Sequence, residues 1–313
     1  MSAVEDYIIE LQTINNASTE YIRAVKAALR DYARALGGVD EFDAPANATE
    51  ADVKRWIAAM RERNLNNNTV KSRMTRVRGF YTFLIESPDH ECTYNPCIRL
   101  YKKLPAGRTQ TRRPYKSVAE VAAFIRSITH PRDRCIVTML AKTGMRRGEL
   151  VGLDIDDVDL DTGTLHIRQH LDDATGKLLT GRKNGEITDI PIDDELRRLL
   201  QVHIALRPRS NNRALFLTRT GLRMNGRDVA ERLRGWVKKH WGDNGKATSE
   251  RISPHWFRAF LTYELSVNGC NPVVIAAIRG DRAAKIQDFY TMQVLGFDKI
   301  REEYLKAVPV FGL

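Results

Sequence analysis

Residues 143–150 read Thr-Gly-Met-Arg-Arg-Gly-Glu-Leu, a segment in which a glycine ends one predicted helix before Arg146 starts the next turn. Alone, such a string is more often a helix junction with a surface arginine than a functional site. A second segment, residues 253–258, reads Ser-Pro-His-Trp-Phe-Arg. Its proline suits the first turn of a helix, where His255 and Arg258 share one face. Both segments therefore bring cationic or proton-transferring groups to the end of a helix.

A lysine and a tyrosine extend this set. Lys183 precedes Asn184-Gly185, and because Asn-Gly is a strong hairpin signal, we expect Lys183 at a hairpin tip. Tyr290 lies near the C-terminus, and a tyrosine considered alone is nearly always a packing residue. Together, two arginines, a histidine, a lysine and a tyrosine suit phosphoryl transfer to a tyrosine nucleophile. Guanidinium groups hold the nonbridging oxygens while lysine and histidine move protons, so this chemistry needs no metal or other cofactor.

The order of these residues resembles the tyrosine recombinase (phage integrase) family over nearly the whole chain. The resemblance implies a mostly α fold with a small β-sheet, made of a helical SAM-like core-binding domain and a mixed α/β catalytic domain. It also implies a site-specific DNA recombinase of the integrase or excisionase type that cuts and rejoins DNA through a 3′-phosphotyrosyl intermediate. Family members act as homotetramers on two DNA sites, with a dimer on each. By motif, the catalytic residues are Arg146, Lys183, His255, Arg258 and Tyr290, and Glu149 is the acidic residue that supports them.

One position departs from the family pattern. The family usually has glycine followed by histidine or tryptophan nine residues before the nucleophile, and here that residue is Asp281. Because an ionised aspartate repels a phosphate, we expect Asp281 to act as a supporting acceptor that orients Arg258 or His255. In that hypothesis Arg282 contacts the phosphate instead. A several-fold gain in cleavage by Asp281→His would contradict it.

The charge of the chain suggests a polyanionic partner. Among 313 residues, 50 Lys and Arg outnumber 39 Asp and Glu, which gives a net charge of +11 and favours nucleic acid first and an anionic membrane second. No run reaches the roughly 18 apolar residues of a spanning helix, and the N-terminus is acidic where a signal peptide is basic. We therefore expect a cytoplasmic, nucleoid-associated protein. Four cysteines do not make a dense disulfide framework, and a zinc site at His90, Cys92 and Cys97 lacks its second half.

Capping residues and helical spacing in the first hundred residues predict helices. Ser18 caps one of them, Thr49 and Asp52 form a capping pair for the next, and the third runs from Asn68 to Glu86 with a basic surface. A basic segment rich in turn residues follows, which predicts a core-binding domain over 1–103, a linker over 104–114 and a catalytic domain over 115–313. Either these basic residues form an ordinary solvated face or they bind DNA phosphates. The predicted DNA-binding residues are Lys71, Arg73, Arg76, Arg78, Lys102, Lys103, Arg108, Arg112 and Arg113.

The catalytic half predicts helices and a few strands. Ser117 and Glu120 form a capping box, alternation over 158–167 predicts a hairpin, and a third strand is expected at 187–192. The apolar tail, residues 308–313, docks either on its own chain or on a neighbouring subunit. Normal synapsis of two DNA sites after its deletion would argue against docking on a neighbour.

Two other functions are compatible with these residues. A type IB topoisomerase uses related chemistry to relax supercoils, although the helical N-terminal half and basic linker favour recombination. A degenerate DNA-binding regulator would bind tightly with strong salt dependence and form no covalent adduct.

Overall fold

The computed structural model describes residues 2–105, 114–242, 251–281 and 294–313. The chain divides into two compact units, residues 1–110 and 111–313. It is mostly helical with small antiparallel sheets, which agrees with the predicted fold class. Most of the predicted linker lies outside the described residues, so its limits remain a prediction. Within the described part, no helix combines the length and the apolar character needed to cross a membrane.

The first unit is helical. Ser18 caps its second helix, and Thr49 forms a capping box with Asp52 at its third, so both predicted helix starts are confirmed. The first helix, at the N-terminus, was not predicted. The described helices of this unit are α1 (Ala3–Thr13), α2 (Thr19–Ala35), α3 (Glu50–Glu62), α4 (Asn67–Glu86) and α5 (Ile98–Lys103).

Aromatic side chains hold these helices together. Tyr32, Trp56 and Tyr81 are fully buried, and the Tyr32 and Tyr81 hydroxyls hydrogen-bond at 3.0 Å. The Trp56 indole N–H donates to Asp31 at 2.8 Å, which satisfies its polar edge. Full burial of a large apolar side chain contributes about 1.5–3 kcal/mol, so this cluster is a main source of stability in the unit. Cys97 is buried in the same core, and His90 lies 3.3 Å from Asp6.

The second unit combines helices with short strands. Ser117 and Glu120 form the predicted capping box at its first helix. Its described helices are α6 (Val118–Ser127), α7 (Pro131–Thr143), α8 (Arg147–Gly152), α9 (Asp194–Leu206), α10 (Gly226–Trp241), α11 (Pro254–Val267), α12 (Pro272–Arg279) and α13 (Phe297–Ala307). The strands are β1 (Val158–Asp159), β2 (Thr164–Ile167), β3 (Gln169–Leu171), β4 (Leu178–Thr180) and β5 (Thr188–Pro191).

The strand pairing tests the two predicted hairpins. The antiparallel pairing of β1 with β2 confirms the first hairpin, and β5 is the expected third strand. Lys183 lies in a tight turn in which the Gly185 N–H donates to the Arg182 carbonyl at 2.7 Å. The Arg182 N–H also donates to the Glu186 carbonyl at 2.7 Å, so Lys183 lies at the tip of a short hairpin, as predicted. Among the described strands, however, β4 pairs with β3 and β5 pairs with β2, so the hairpin does not extend into them. The local Asn-Gly signal predicts the turn, whereas pairing is set by the longer stretch 164–171.

The tail, residues 308–313, packs on its own chain. Glu195 accepts hydrogen bonds from the backbone N–H groups of Phe311 and Leu313, at 3.0 and 2.6 Å. The ammonium of Lys142, which is fully buried, lies 2.7 Å from Glu195 and donates to the Pro309 carbonyl at 2.8 Å. Of the two docking alternatives, this single chain shows the one in cis.

Candidate active site

A helix junction positions Arg146. Helix α7 ends at Gly144, whose φ of +58° is left-handed and favours glycine. A Cβ there would lie 3.2 Å from a Leu261 methyl group and 3.5 Å from the Arg258 Cα, so glycine also allows α11 to approach. Arg146 follows as the N-cap of α8, and both its backbone N–H and its guanidinium donate to Glu149, at 2.8 and 3.0 Å. Local backbone geometry thus directs this arginine side chain.

A buried ion pair lies beneath Arg146. Glu149 is 1% exposed and Arg182 is 0% exposed. Arg182 donates to both Glu149 oxygens, at 3.1 and 3.0 Å, and to the Thr188 hydroxyl and the Ile278 carbonyl at 3.1 Å each. Its fifth N–H donates to the Arg279 carbonyl at 2.8 Å, so every guanidinium donor has an acceptor.

This pairing keeps Glu149 ionised. Burial alone would raise the pKa of the Glu149 carboxyl, but the charge and hydrogen bonds of Arg182, with those of Arg146, hold that pKa below its usual range. A charged Glu149 in turn orients Arg146 through two hydrogen bonds. Arg182 therefore acts on Arg146 indirectly, by fixing the carboxylate between them.

The second arginine of the site, Arg258, is almost fully buried in α11. Its guanidinium donates to the carbonyls of Gly144 and Arg279, both at 2.9 Å, which are the ends of α7 and α12. Burial lowers the pKa of Arg258 to about 10, and although Asp281 opposes this shift, the charges of Arg146 and Arg279 add to it. Arg258 is still protonated at neutral pH.

Asp281 joins the arginines. Its Oδ1 accepts from the Nη2 atoms of both Arg146, at 3.2 Å, and Arg258, in a close contact. Its Oδ2 lies 2.9 Å from Arg279. The structure therefore brings Asp281 to Arg258, as the sequence hypothesis requires, and also to Arg146, which was not predicted. Arg282, the predicted replacement for the phosphate contact, lies outside the described residues.

The remaining predicted catalytic residues are distributed around this cluster. Lys183 is exposed in the turn directly after Arg182, and His255 is exposed in the first turn of α11, three residues before Arg258. Tyr290 lies outside the described residues, nine positions after Asp281. The structure thus gathers Arg146, Glu149, Arg258 and Asp281 in one cluster, and the roles of all the predicted residues remain a prediction.

Sequence reasoning missed two arginines of this cluster. Arg182 adjoins Lys183 and has no helical or strand periodicity that marks it as buried. Its acceptors at 278 and 279 are almost a hundred residues away, so only the folded chain shows its environment. Arg279 had a visible signal, because it stands two residues before the unusual Asp281 and has the opposite charge.

The predicted DNA-binding residues have varied environments. Arg73 lies 2.7 Å from Asp31, and the charges of Lys71 and Arg78 lie over the Tyr101 ring at 5.8 and 4.3 Å. Arg76 donates to the Ser72 carbonyl at 2.8 Å. Lys102 and Lys103 lie in the last turn of α5. Arg108, Arg112 and Arg113 lie outside the described residues. Their DNA contacts remain a prediction.

Comparison with known proteins places this site in a family. Residues 116–293 match the phage integrase family, and residues 4–87 match the phage integrase N-terminal SAM-like domain. The chain is 26% identical to tyrosine recombinase XerC of Pelotomaculum thermopropionicum over an alignment 328 positions long, gaps included, which covers 98% of this chain and 97% of the relative. It is 27% identical to XerC of Chromobacterium violaceum over 247 residues, which cover 78% and 76% of the two chains.

Solved structures show the same fold. The Tn1549 transposon integrase in complex with transposon right end DNA matches with a TM-score of 0.73 and 20% identity, over 97% of this chain and 98% of that one. A lambda integrase tetramer bound to a Holliday junction matches with a TM-score of 0.64 and 11% identity, over 91% and 77% of the chains. The two matched domains confirm the predicted fold class, and the chain belongs to the phage integrase family of tyrosine recombinases, enzymes that recombine DNA at specific sites by cleaving and rejoining it.

Proposed function

We propose that this recombinase cleaves DNA with Tyr290 as nucleophile and with Arg146 and Arg258 as the clamp on the scissile phosphate. One observation carries the proposal: guanidinium nitrogens of both arginines contact the same atom, Asp281 Oδ1. Two forks that reach one carboxylate oxygen can also reach the nonbridging oxygens of one phosphate. The four arginines and two carboxylates of the cluster sum to a charge of about +2, which suits the extra negative charge of a phosphorane transition state.

The chemical step conserves the number of phosphate ester bonds. The Tyr290 oxygen bonds to phosphorus, the bond from phosphorus to the 5′ oxygen breaks, and a 3′-phosphotyrosyl linkage remains. The phenol must lose a proton and the departing 5′ oxygen must gain one. His255 acts beside the phenol and Lys183 protonates the 5′ oxygen. Attack by a 5′ hydroxyl of the partner strand reverses the step and releases the tyrosine.

A covalent trapping experiment tests this proposal. Nicked duplexes with a randomised central sequence are incubated with the protein without metal or nucleotide, and the products are separated on a denaturing protein gel. We expect a shifted band for the wild type and none for Tyr290→Phe, because phenylalanine has no oxygen to bond to phosphorus. DNA binding without any adduct would overturn the proposed cleavage and favour a regulator that only binds DNA.

The role of Lys183 has its own test. Lys183→Ala should slow cleavage by about 10²–10⁴-fold on normal DNA, which is the usual contribution of a general acid. A sulfur at the bridging 5′ position leaves without a proton, so the defect should largely disappear on that substrate. An equal defect on both substrates would assign the acid to another group.

We further propose that the enzyme acts as a homotetramer, with a dimer on each of two DNA sites, in the cytoplasm at the nucleoid. The tetramer of the similar lambda integrase on a Holliday junction supports this assembly. Analytical ultracentrifugation with one and with two DNA sites should give dimeric and tetrameric complexes. A monomer that completes strand exchange would contradict the proposal.

A further inference from the structure

We propose that Asp281 is a stand-in for the scissile phosphate: in the DNA-free enzyme its carboxylate occupies the anion position between Arg146 and Arg258, and the DNA phosphate must displace it. This inference rests on the proposed roles of the two arginines. It differs from the sequence hypothesis, in which Asp281 only orients a neighbour while Arg282 holds the phosphate.

The geometry of the carboxylate supports a competitive role. A phosphate clamp needs donors from two arginines on one anion, and Asp281 Oδ1 already receives them, from Arg146 at 3.2 Å and from Arg258 in a close contact. The second oxygen receives Arg279 at 2.9 Å. Three guanidinium groups thus surround one small anion. A phosphate in the same place would require the same donors.

Exposure distinguishes Asp281 from the other carboxylate of the cluster. Glu149 is 1% exposed beneath the arginines, whereas the Asp281 side chain is 31% exposed. The Asp281 backbone N–H donates to the Ala276 carbonyl at 3.0 Å, which fixes the main chain at this position. Displacement therefore needs only rotation of the Asp281 side chain toward solvent. Glu149 stays in place and continues to orient Arg146.

Charge makes the two anions mutually exclusive. A carboxylate and a phosphodiester each carry about one negative charge, and like charges at contact distance in a partly buried site repel strongly. Binding is thus an exchange of anions. Asp281 orders the arginines and offsets part of their charge before DNA arrives, but the cost of removing Asp281 weakens DNA binding. Removal of its charge alone should therefore strengthen binding.

Asp281→Asn removes the charge while it keeps the shape and one hydrogen-bond acceptor. We would introduce it into the Tyr290→Phe background and measure binding of a short mixed-sequence duplex by fluorescence anisotropy across KCl concentrations. We expect at least about fivefold tighter binding with a similar slope of log K against log[salt], because both proteins contact the same phosphate once DNA is bound. Asp281→Glu keeps the charge and should bind as weakly as the parent.

Asp156→Asn is the matched control. Asp156 pairs with Arg213 at an exposed position, 61% and 71% accessible, so its substitution changes net charge and breaks an Asp–Arg pair without touching the cluster. Less than a twofold effect is expected for it. Thermal melts establish that each variant is folded, and Asp281→Ser serves in place of Asp281→Asn if the latter is not.

If removal of the Asp281 charge leaves DNA affinity at the level of the control, or weakens it, Asp281 is a positioning residue and the stand-in role is wrong. Failure of the proposed function is a separate result, namely the absence of a covalent adduct with active Tyr290. The binding comparison does not depend on cleavage because its background lacks the nucleophile.

Discussion

Arg182 offers the sharpest test of how the catalytic cluster is built. Arg182→Ala removes a fully buried guanidinium whose five donors all have acceptors, two of them on Glu149. Glu149 would then be buried with Arg146 as its remaining charged contact in the cluster. Removal of one partner of a buried ion pair costs about 3–5 kcal/mol. Arg182→Lys retains the charge but has only three donors. It should lower the free energy of unfolding by about 2–4 kcal/mol, because some of the buried acceptors then lack a donor.

Hydrogen exchange measured by mass spectrometry suits this prediction because it resolves the second unit from the first. Slowly exchanging amides in the buried part of α7 report global opening of the unit. A loss of 3 kcal/mol should speed their exchange roughly 150-fold, since each 1.4 kcal/mol is a factor of ten. Peptides from α2 in the first unit serve as an internal reference and should change little.

Arg213→Ala is the matched substitution, because Arg213 pairs with Asp156 on the surface. Exposed pairs contribute about 0–1 kcal/mol, so at most about a fivefold change is expected. If Arg182→Ala changes exchange no more than Arg213→Ala does, Glu149 does not depend on Arg182 and the proposed support of Arg146 is wrong.

Two further predictions follow from the same cluster. The pKa of Glu149 is lower in the folded protein than its ordinary value of 4.5, so its ionisation contributes stability that is present above about pH 4.5 and lost as the pH falls. The free energy of unfolding, measured with urea at several pH values, should therefore depend less on acid for Glu149→Gln than for the wild type. An unchanged dependence would contradict the pairing. Gly280→Ala should destabilise the protein by more than about 2 kcal/mol, because φ is +60° and the new Cβ would lie 2.3 Å from Arg182. Gly235→Ala, in an open position inside α10, should instead stabilise it by about 0.5–1 kcal/mol, and thermal melts that show similar effects for both would refute this reading.

Local sequence signals predicted the helices well because capping and periodicity act over a few residues. Ser18, Thr49 and Ser117 each cap the helix that was expected after them. The Asn-Gly signal predicted the turn at Lys183, but a turn signal does not specify which strands its flanks meet, and here β4 pairs with β3 and β5 with β2. Helix α1 was missed although Ser2 and Glu5 form a capping box there, since its acidic start was considered only as evidence against a signal peptide.

Site residues that a family motif names were predictable from the sequence. Residues that join the site only through the folding of the chain were not. Arg146, Glu149 and Arg258 were identified by their boxes, and the structure brings them together. Arg182 escaped because its acceptors belong to α8, β5 and the end of α12, which meet it only in the folded chain. Asp281 was noticed as an exception, but its link to three arginines is a property of three dimensions.

The buried Lys142 beneath the tail has a practical consequence for labelling chemistry. Its ammonium is inaccessible to solvent while the Pro309 carbonyl accepts from it, and the Tyr304 hydroxyl donates to its backbone carbonyl at 2.8 Å. A water-soluble acylating reagent can modify only the lysines that it reaches. Lys142 should therefore stay unmodified while the tail is seated and become reactive when the tail leaves. Mass spectrometry of this one peptide would report the occupancy of the tail's binding site, both in free enzyme and on DNA.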